Sequence, residues 1–497
     1  KILSFQNELS YRGPDDTKVI NESNEQNKKI IFIHNRLSIL DHKNGSQPMR
    51  SDDNSVIVFN GEIYNHNSLR NELKSNGVRF STSSDTEVIL KGYQNYGFKI
   101  TEKLNGMWAF VIYDKNKDKI FISRDRFGEK PLFYYFSEEF FIFSSEEWVI
   151  KKILSNIKLN FKNIAKYCAL GFVPENLTPY ENIFSLKPGF NIELNIKKMK
   201  LEFQKYWEFE IKPDYKKSEK YWIDSLYSAL ENSVKIRLNA DTEVGTFLSG
   251  GLDSSIITYF AGKERKDLKT FSINFEDKEI NERKYIDFFQ KNILKTDHYD
   301  MDFKLENSQN LYKNFQNNNK ELLSDSSLIS YYALCKEASK KVKVVLGGDG
   351  SDELLAGYNT FKAISYYDKM NKYKVYSILK FLSKLFKFFP SSHKNQSLKF
   401  LTDRFFKAPT NDLSLANPIW LSPLNLNLIN KMLKKDYKDK DLYEEIINEW
   451  EKIKNESVID KTLYFYVNFF LKSQTLRKTD RIGMYNSLEI RSPFSCG

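Results

Sequence analysis

The string Val244-Gly245-Thr246-Phe247-Leu248-Ser249-Gly250-Gly251-Leu252-Asp253-Ser254-Ser255 constrains this chain more than any other part of it. A short apolar run stops at two adjacent glycines, and a helical pattern follows over Ser254 to Lys263. The spacing predicts a buried strand, a tight turn and a helix. Glycines let the backbone approach an anion, and free amides at the positive end of a helix attract phosphate oxygens. Ser249 and Ser254 place hydroxyl donors at the same spot. Asp253 would repel bare phosphate, so it calls for a divalent cation between the two. No Gly-Lys-Ser/Thr follows, which separates this loop from the Walker type that grips terminal phosphates.

A second string repeats the design. Val342-Lys343-Val344-Val345-Leu346 reads as a strand, and Gly347-Gly348-Asp349-Gly350-Ser351-Asp352-Glu353 follows it. Its acids do not have EF-hand spacing; three of them within five residues suit magnesium and an electrophile. From about residue 220, helices and strands alternate: a helix over Tyr221 to Leu238, strands over Lys269 to Phe275 and Asp297 to Met301, helices over Glu282 to Leu294 and Ser330 to Lys340. That alternation predicts a parallel sheet covered on both faces. Both glycine loops then lie along one edge of the sheet, where ligands bind in such folds.

Residues 1–195 have a different grammar. Ile30 to Ile33, Ser55 to Phe59 (ending at Asn60-Gly61), Trp108 to Tyr113, Lys119 to Ser123, Leu132 to Phe136 and Phe140 to Phe143 read as short strands. Asp114 to Lys117 reads as a hairpin turn, and helices are confined chiefly to Ser68 to Asn76 and Asp85 to Tyr96. This half is expected to be α+β and dominated by antiparallel strands. The charged, weakly periodic stretch 196–220 reads as a linker. The expected domains are therefore 1–195 and 221–497, the second ending in a mostly helical part. A length of 497 residues fits more than one core.

The net charge is +11, but the lysines are spread along the chain among acids and asparagines, which describes a solvated surface and no nucleic-acid site. Three cysteines, Cys168, Cys335 and Cys496, lie far apart without a Cys-x-x-Cys pair, against a disulfide scaffold or zinc site and in keeping with a cytoplasmic location. No apolar run reaches the ~20 residues that span a bilayer. The basic, aromatic stretch Ser377 to Phe389 reads as a packing helix with lysines at its rim.

With these loops and strings in view, the chain resembles the glutamine-dependent asparagine synthetase family. The resemblance runs through Arg12-Gly13-Pro14-Asp15-Asp16, Arg36-Leu37-Ser38-Ile39-Leu40-Asp41, Asn60-Gly61-Glu62-Ile63-Tyr64-Asn65, Ser84-Asp85-Thr86-Glu87, Arg124-Asp125-Arg126-Phe127-Gly128 and Phe143-Ser144-Ser145-Glu146. It continues through the two glycine loops to Asp480-Arg481 and Ser487-Leu488-Glu489-Ile490-Arg491-Ser492-Pro493-Phe494.

The resemblance implies a glutaminase domain of the N-terminal-nucleophile fold, followed by an ATP-pyrophosphatase synthetase domain. It implies that ammonia released from glutamine travels through an internal tunnel to an aspartyl-adenylate, giving asparagine, AMP and pyrophosphate. Glutamine would be held by Arg36, Leu37, Ser38, Ile39, Leu40, Asn60, Gly61, Glu62 and Asp85. Arg36 suits its α-carboxylate, Glu62 and Asp85 its α-ammonium, and Asn60 with Gly61 an oxyanion hole. ATP would be held by Leu248, Ser249, Gly250, Gly251, Leu252, Asp253, Ser254, Ile273, Gly347 and Gly348. Asp253 and Asp352 would carry magnesium, and Asp349, a glutamate in many relatives, would stand beside the acyl-adenylate. The partners implied are small molecules, with a homodimer as a possible assembly.

Two departures bear on function. The family's nucleophile is a cysteine at residue one, whose own amine assists it; here no cysteine precedes Cys168, and Arg12-Gly13-Pro14 comes early. The ending Phe494-Ser495-Cys496-Gly497 also leaves the family pattern. The sequence reads as cut at both ends. It leaves open the same chemistry on another carboxylate, such as a uronic sugar, and a truncated non-catalytic copy.

Overall fold

The computed structural model describes residues 2–24, 26–277, 281–383, 398–410 and 412–495. The first half is built on a six-stranded antiparallel sheet. Its spatial order is Lys200–Lys205, Phe190–Asn195, Lys119–Arg124, Gly106–Asp114, Val56–Ile63 and Met49–Arg50. Successive side chains of a strand point to opposite faces, and the core divides accordingly. Ile57, Phe59, Phe110, Ile112 and Phe121 pack beneath the helices His66–Ser75 and Asp85–Tyr96. Val56, Val58, Val111, Ile120 and Ile122 face the hairpin Asp16–Ser23/Lys29–Arg36 through Ile30 and Phe32. A three-stranded antiparallel sheet, Phe141–Ser144, Phe133–Phe136 and Ile183–Ser185, completes the half. The α+β, antiparallel expectation is met.

Two local readings change. Asn60-Gly61 does not end its strand; the strand runs on to Ile63, with Gly61 opposite Trp108. Gly61 has φ 142°, and a Cβ there would collide with the Met107 carbonyl, so only glycine fits. Within the stretch read as linker, Lys200–Lys205 forms the sheet's edge strand against Phe190–Asn195. Its charge suits an edge, where lysines discourage further pairing.

The second half holds a five-stranded parallel sheet in the order Asp297–Phe303, Lys269–Phe275, Val244–Phe247, Val344–Leu346, Glu489–Arg491. Val344 and Leu346 face Leu230, Val234, Ile257 and Phe260 on one side. Val345 and Ile490 face Tyr332, Cys335, Ile482 and Tyr485 on the other. The sheet is thus covered on both faces, as the apolar runs require. Helices fill the rest of the half, including the π-helical segment Tyr466–Thr475. Tyr376–Ser383 is helical as expected; the remainder of that predicted helix, and Cys496, lie outside the described residues. No helix among the described residues is long and apolar enough to cross a membrane.

Candidate functional site

Two clefts collect the residues singled out by the sequence. The first, of about 130 Å³, is lined by Leu9, Arg12, Arg36, Leu37, Ile39, Leu40, Asn60, Gly61, Glu62 and Asp85. Arg36 uses its guanidinium to tie down its own loop, donating to the carbonyls of Leu40 and Asp41 at 2.8 Å each and of His42 at 3.3 Å. Ser38 turns away: its amide donates to Asp15 Oδ2 and its hydroxyl meets His42. Asp85 opens a helix capped by Ser84 and accepts from the Ile63 amide at 3.0 Å.

Among the described residues, three buried side-chain atoms of this cleft have no hydrogen-bond partner: Glu62 Oε1, Asn60 Nδ2 and His34 Nδ1. An orphaned acceptor and donor cost free energy unless a ligand completes them. Burial, with Asp85 adding to it, holds the Glu62 carboxyl well above the usual carboxylate range, although Arg491 opposes the shift. An arriving ammonium would draw it back to the ionised form. Met484 and Glu489 of the second half also line this cleft. No described cysteine does: Cys168 lies on the helix Phe161–Leu170 and Cys335 is buried in the sheet's helical cover.

The second cleft, of about 470 Å³, lies at the carboxyl edge of the parallel sheet. Ser249, Gly251, Asp253 and Ser254 form one wall and Gly347 to Asp352 another, with Ile273 between them. The first loop is held open by its serines. The Ser249 amide donates to Ser254 Oγ at 3.2 Å, and Ser254 Oγ donates to the Gly251 carbonyl at 3.1 Å. Gly250 takes φ 90° to make the turn. Leu248 does not line the cleft; it is fully buried against Ile286 and Phe289. Leu252 is 75% exposed at the start of the helix Leu252–Glu264.

The carboxylates divide by environment. Asp352 is raised above its ordinary value by burial and then by Asp253, so these two acids sit within each other's field. A pair of neighbouring carboxylates is a donor set that a hard divalent cation would satisfy. Asp349 is half-buried; desolvation raises its carboxyl, with Lys478 opposing, and it accepts from the Tyr331 hydroxyl at 3.2 Å. Glu353 belongs to the scaffold: it accepts from Tyr358 at 2.8 Å and Thr475 at 2.7 Å.

Sequence reasoning missed the far wall. Asp325, Ser327, Tyr331, Phe470, Thr475 and Lys478 all line the cleft. Lys478 Nζ meets Asp325 Oδ2 at 3.0 Å. The position of Lys478, two residues before the Asp480-Arg481 string, was the available signal.

A cleft with unfilled polar atoms on an antiparallel α+β domain, joined to a glycine-loop cleft on a parallel sheet, defines a two-site enzyme with separate ligands. Residues 1–207 match the family of glutamine amidotransferase domains, and residues 225–495 match the asparagine synthase family. A protein of Methanocaldococcus jannaschii described as putative asparagine synthetase [glutamine-hydrolyzing] 2 is 39% identical over 390 residues, covering 72% of this chain and 73% of that one. Asparagine synthetase [glutamine-hydrolyzing] 1 of Bacillus subtilis is 30% identical over 493 residues, covering 98% of this chain and 74% of its own length. This chain belongs to the asparagine synthase family.

Proposed function

We propose that the chain forms asparagine from aspartate, spending ATP as AMP and pyrophosphate, with the nitrogen drawn from glutamine. The observation that carries this reading is the second cleft, where two glycine loops at one sheet edge bring Asp253, Asp352 and the half-buried Asp349 around a single space. ATP lies with its phosphates against Ser249 to Ser254 and Gly347-Gly348, where amides and hydroxyls meet them. Asp253 and Asp352 would hold a magnesium ion, which would offset the charge of the departing pyrophosphate.

A side-chain carboxylate of aspartate attacks the α-phosphorus, the bond to pyrophosphate breaks, and an acyl-adenylate results. Asp325 and Lys478 offer opposite charges for the α-ammonium and α-carboxylate of that acceptor, which suits an amino acid better than a sugar acid. Ammonia then attacks the acyl carbon, AMP leaves with one former carboxylate oxygen, and Asp349 takes the surplus proton. Burial raises the Asp349 carboxyl toward the range in which a base is effective.

The first cleft binds glutamine, with its ammonium at Glu62 and Asp85 and the developing oxyanion at Asn60 Nδ2. Its shared wall with Met484 and Glu489 turns it toward the second half. The test is exchange of labelled pyrophosphate into ATP. Aspartate with magnesium is expected to support it, and glucuronate is not. Exchange that ignores aspartate, or that prefers the sugar acid, contradicts the reading.

A further inference from the structure

Arg491 touches both sites at once. Its side chain is wholly buried and reaches out of the parallel sheet to donate to Glu62 Oε2 at 3.0 Å. The other Glu62 oxygen is one of the orphans of the first cleft. The guanidinium is fixed in place by Glu489 Oε1 at 2.9 Å and the carbonyls of Arg237 at 2.6 Å and Asn239 at 2.9 Å. Tyr64, which follows Glu62 by two residues, lies 5.5 Å below it.

The backbone of the same residue holds a loop that lines the second cleft. The Arg491 carbonyl accepts from the Gly347 amide at 3.0 Å, and Leu346 is its register partner across the strands. The next residue, Ser492, donates to the Asp349 carbonyl at 3.2 Å. One residue thus holds the ammonium-binding carboxylate by its head and the second glycine loop by its main chain.

We propose that Arg491 is a positioning residue that presents Glu62 to glutamine and couples occupancy of the glutamine cleft to the Gly347–Asp352 loop. This rests on reading the first cleft as the glutamine site. A ligand's ammonium at Glu62 Oε1 competes with Arg491 for the charge of one carboxylate. Any shift of the arginine is passed to Gly347 and Asp349 through a single residue. Coupling of this kind is reciprocal, so each ligand must change the other's affinity by the same factor.

The test measures glutamine binding to the full chain by calorimetry, alone and with saturating magnesium-ATP, and ATP binding with and without glutamine. The unaltered chain is expected to show an equal shift of fivefold or more in both directions. In Arg491→Lys, which keeps the charge but loses the fork, glutamine should bind at least tenfold more weakly and the shift should fall below twofold. In Glu62→Gln, which keeps the volume but loses the charge that meets the ammonium, glutamine should bind at least tenfold more weakly and the shift should fall below twofold. Circular dichroism and Tm establish that both variants are folded. Glutamine binding that is indifferent to ATP in the unaltered chain, or a shift that survives in both variants, overturns the link. No glutamine binding in the unaltered chain overturns the pocket reading and the link with it.

Discussion

Asp253 and Asp352 both line the second cleft, and Asp352 is held up by burial and by the charge of Asp253. Asp352→Asn relieves that repulsion and, on the proposed magnesium assignment, removes a cation ligand. Pyrophosphate formation is expected to fall by about 10²-fold or more, with a higher magnesium requirement and an undiminished Tm. Unchanged magnesium dependence would sink the assignment. Lys472 makes a different kind of residue-scale prediction. Burial draws its ammonium down to about 8, with Glu175 opposing, and its Nζ donates to Asn468 Oδ1 at 2.7 Å. Between pH 8 and its ordinary value of 10.5, the unfolded chain holds a proton that the folded chain has lost. Stability therefore rises with pH across that window and carries the full cost of the buried charge below it. Relative to Lys472→Met, the wild type should gain on the order of 3 kcal/mol by pH 10.5 in denaturant titrations; parallel profiles would refute it. The acids of the glycine loops were legible in the sequence because each follows a strand and a glycine pair. Asp325 and Lys478 were not, because they come together only when the turn before Leu328–Ala338 meets the helix Leu476–Tyr485, 153 residues away in sequence.

At the scale of elements, the two glycine loops touch. A Cβ on Gly348 would stand 3.3 Å from Asp253 Cβ and 3.3 Å from the Ser254 amide nitrogen. Gly348→Ala should therefore weaken ATP binding by about tenfold, roughly 1.4 kcal/mol, while Tm changes little. Gly350 has φ 93°, and Gly350→Ala should cost about 1–2 kcal/mol of stability from the left-handed backbone alone. Equilibrium binding set beside thermal unfolding separates the two outcomes; equal losses in both variants would contradict this division. The alternation of helices and strands announced four strands of the parallel sheet. The fifth, Glu489–Arg491, is three residues long with a charge at each end, so no periodicity marks it. Asn60-Gly61 misled for a related reason: the pair favours turns locally, yet sheet pairing with Ala109 and Trp108 keeps it within the strand.

Across the whole molecule, the halves are joined by buried charge. Arg12 pairs with Glu146 at 2.9 Å and Asp480 at 2.8 Å, and Arg481 pairs with Glu146 at 2.8 Å and Glu321 at 2.6 Å. All of these residues except Glu321 sit in the strings that carried the family resemblance, but their work is to hold the interface. Sequence alone could not separate that role from ligand binding, because both favour charged residues in glycine-rich settings. Arg481→Met takes the shared guanidinium from two buried carboxylates, leaving Glu146 to Arg12 alone and Glu321 to Arg477 at 3.3 Å, and should cost about 3 kcal/mol. Calorimetry should show one unfolding transition for the wild type and a split or earlier one for the variant; an unchanged transition would count against the interface. The most direct measurement of the central claim follows an oxygen atom. Aspartate labelled with ¹⁸O in its side-chain carboxylate is incubated with the chain, ATP, magnesium and ammonium, and the nucleotide product is weighed by mass spectrometry. Carboxylate activation by adenylation predicts AMP carrying one ¹⁸O; unlabelled AMP, or ADP with labelled phosphate, would contradict it.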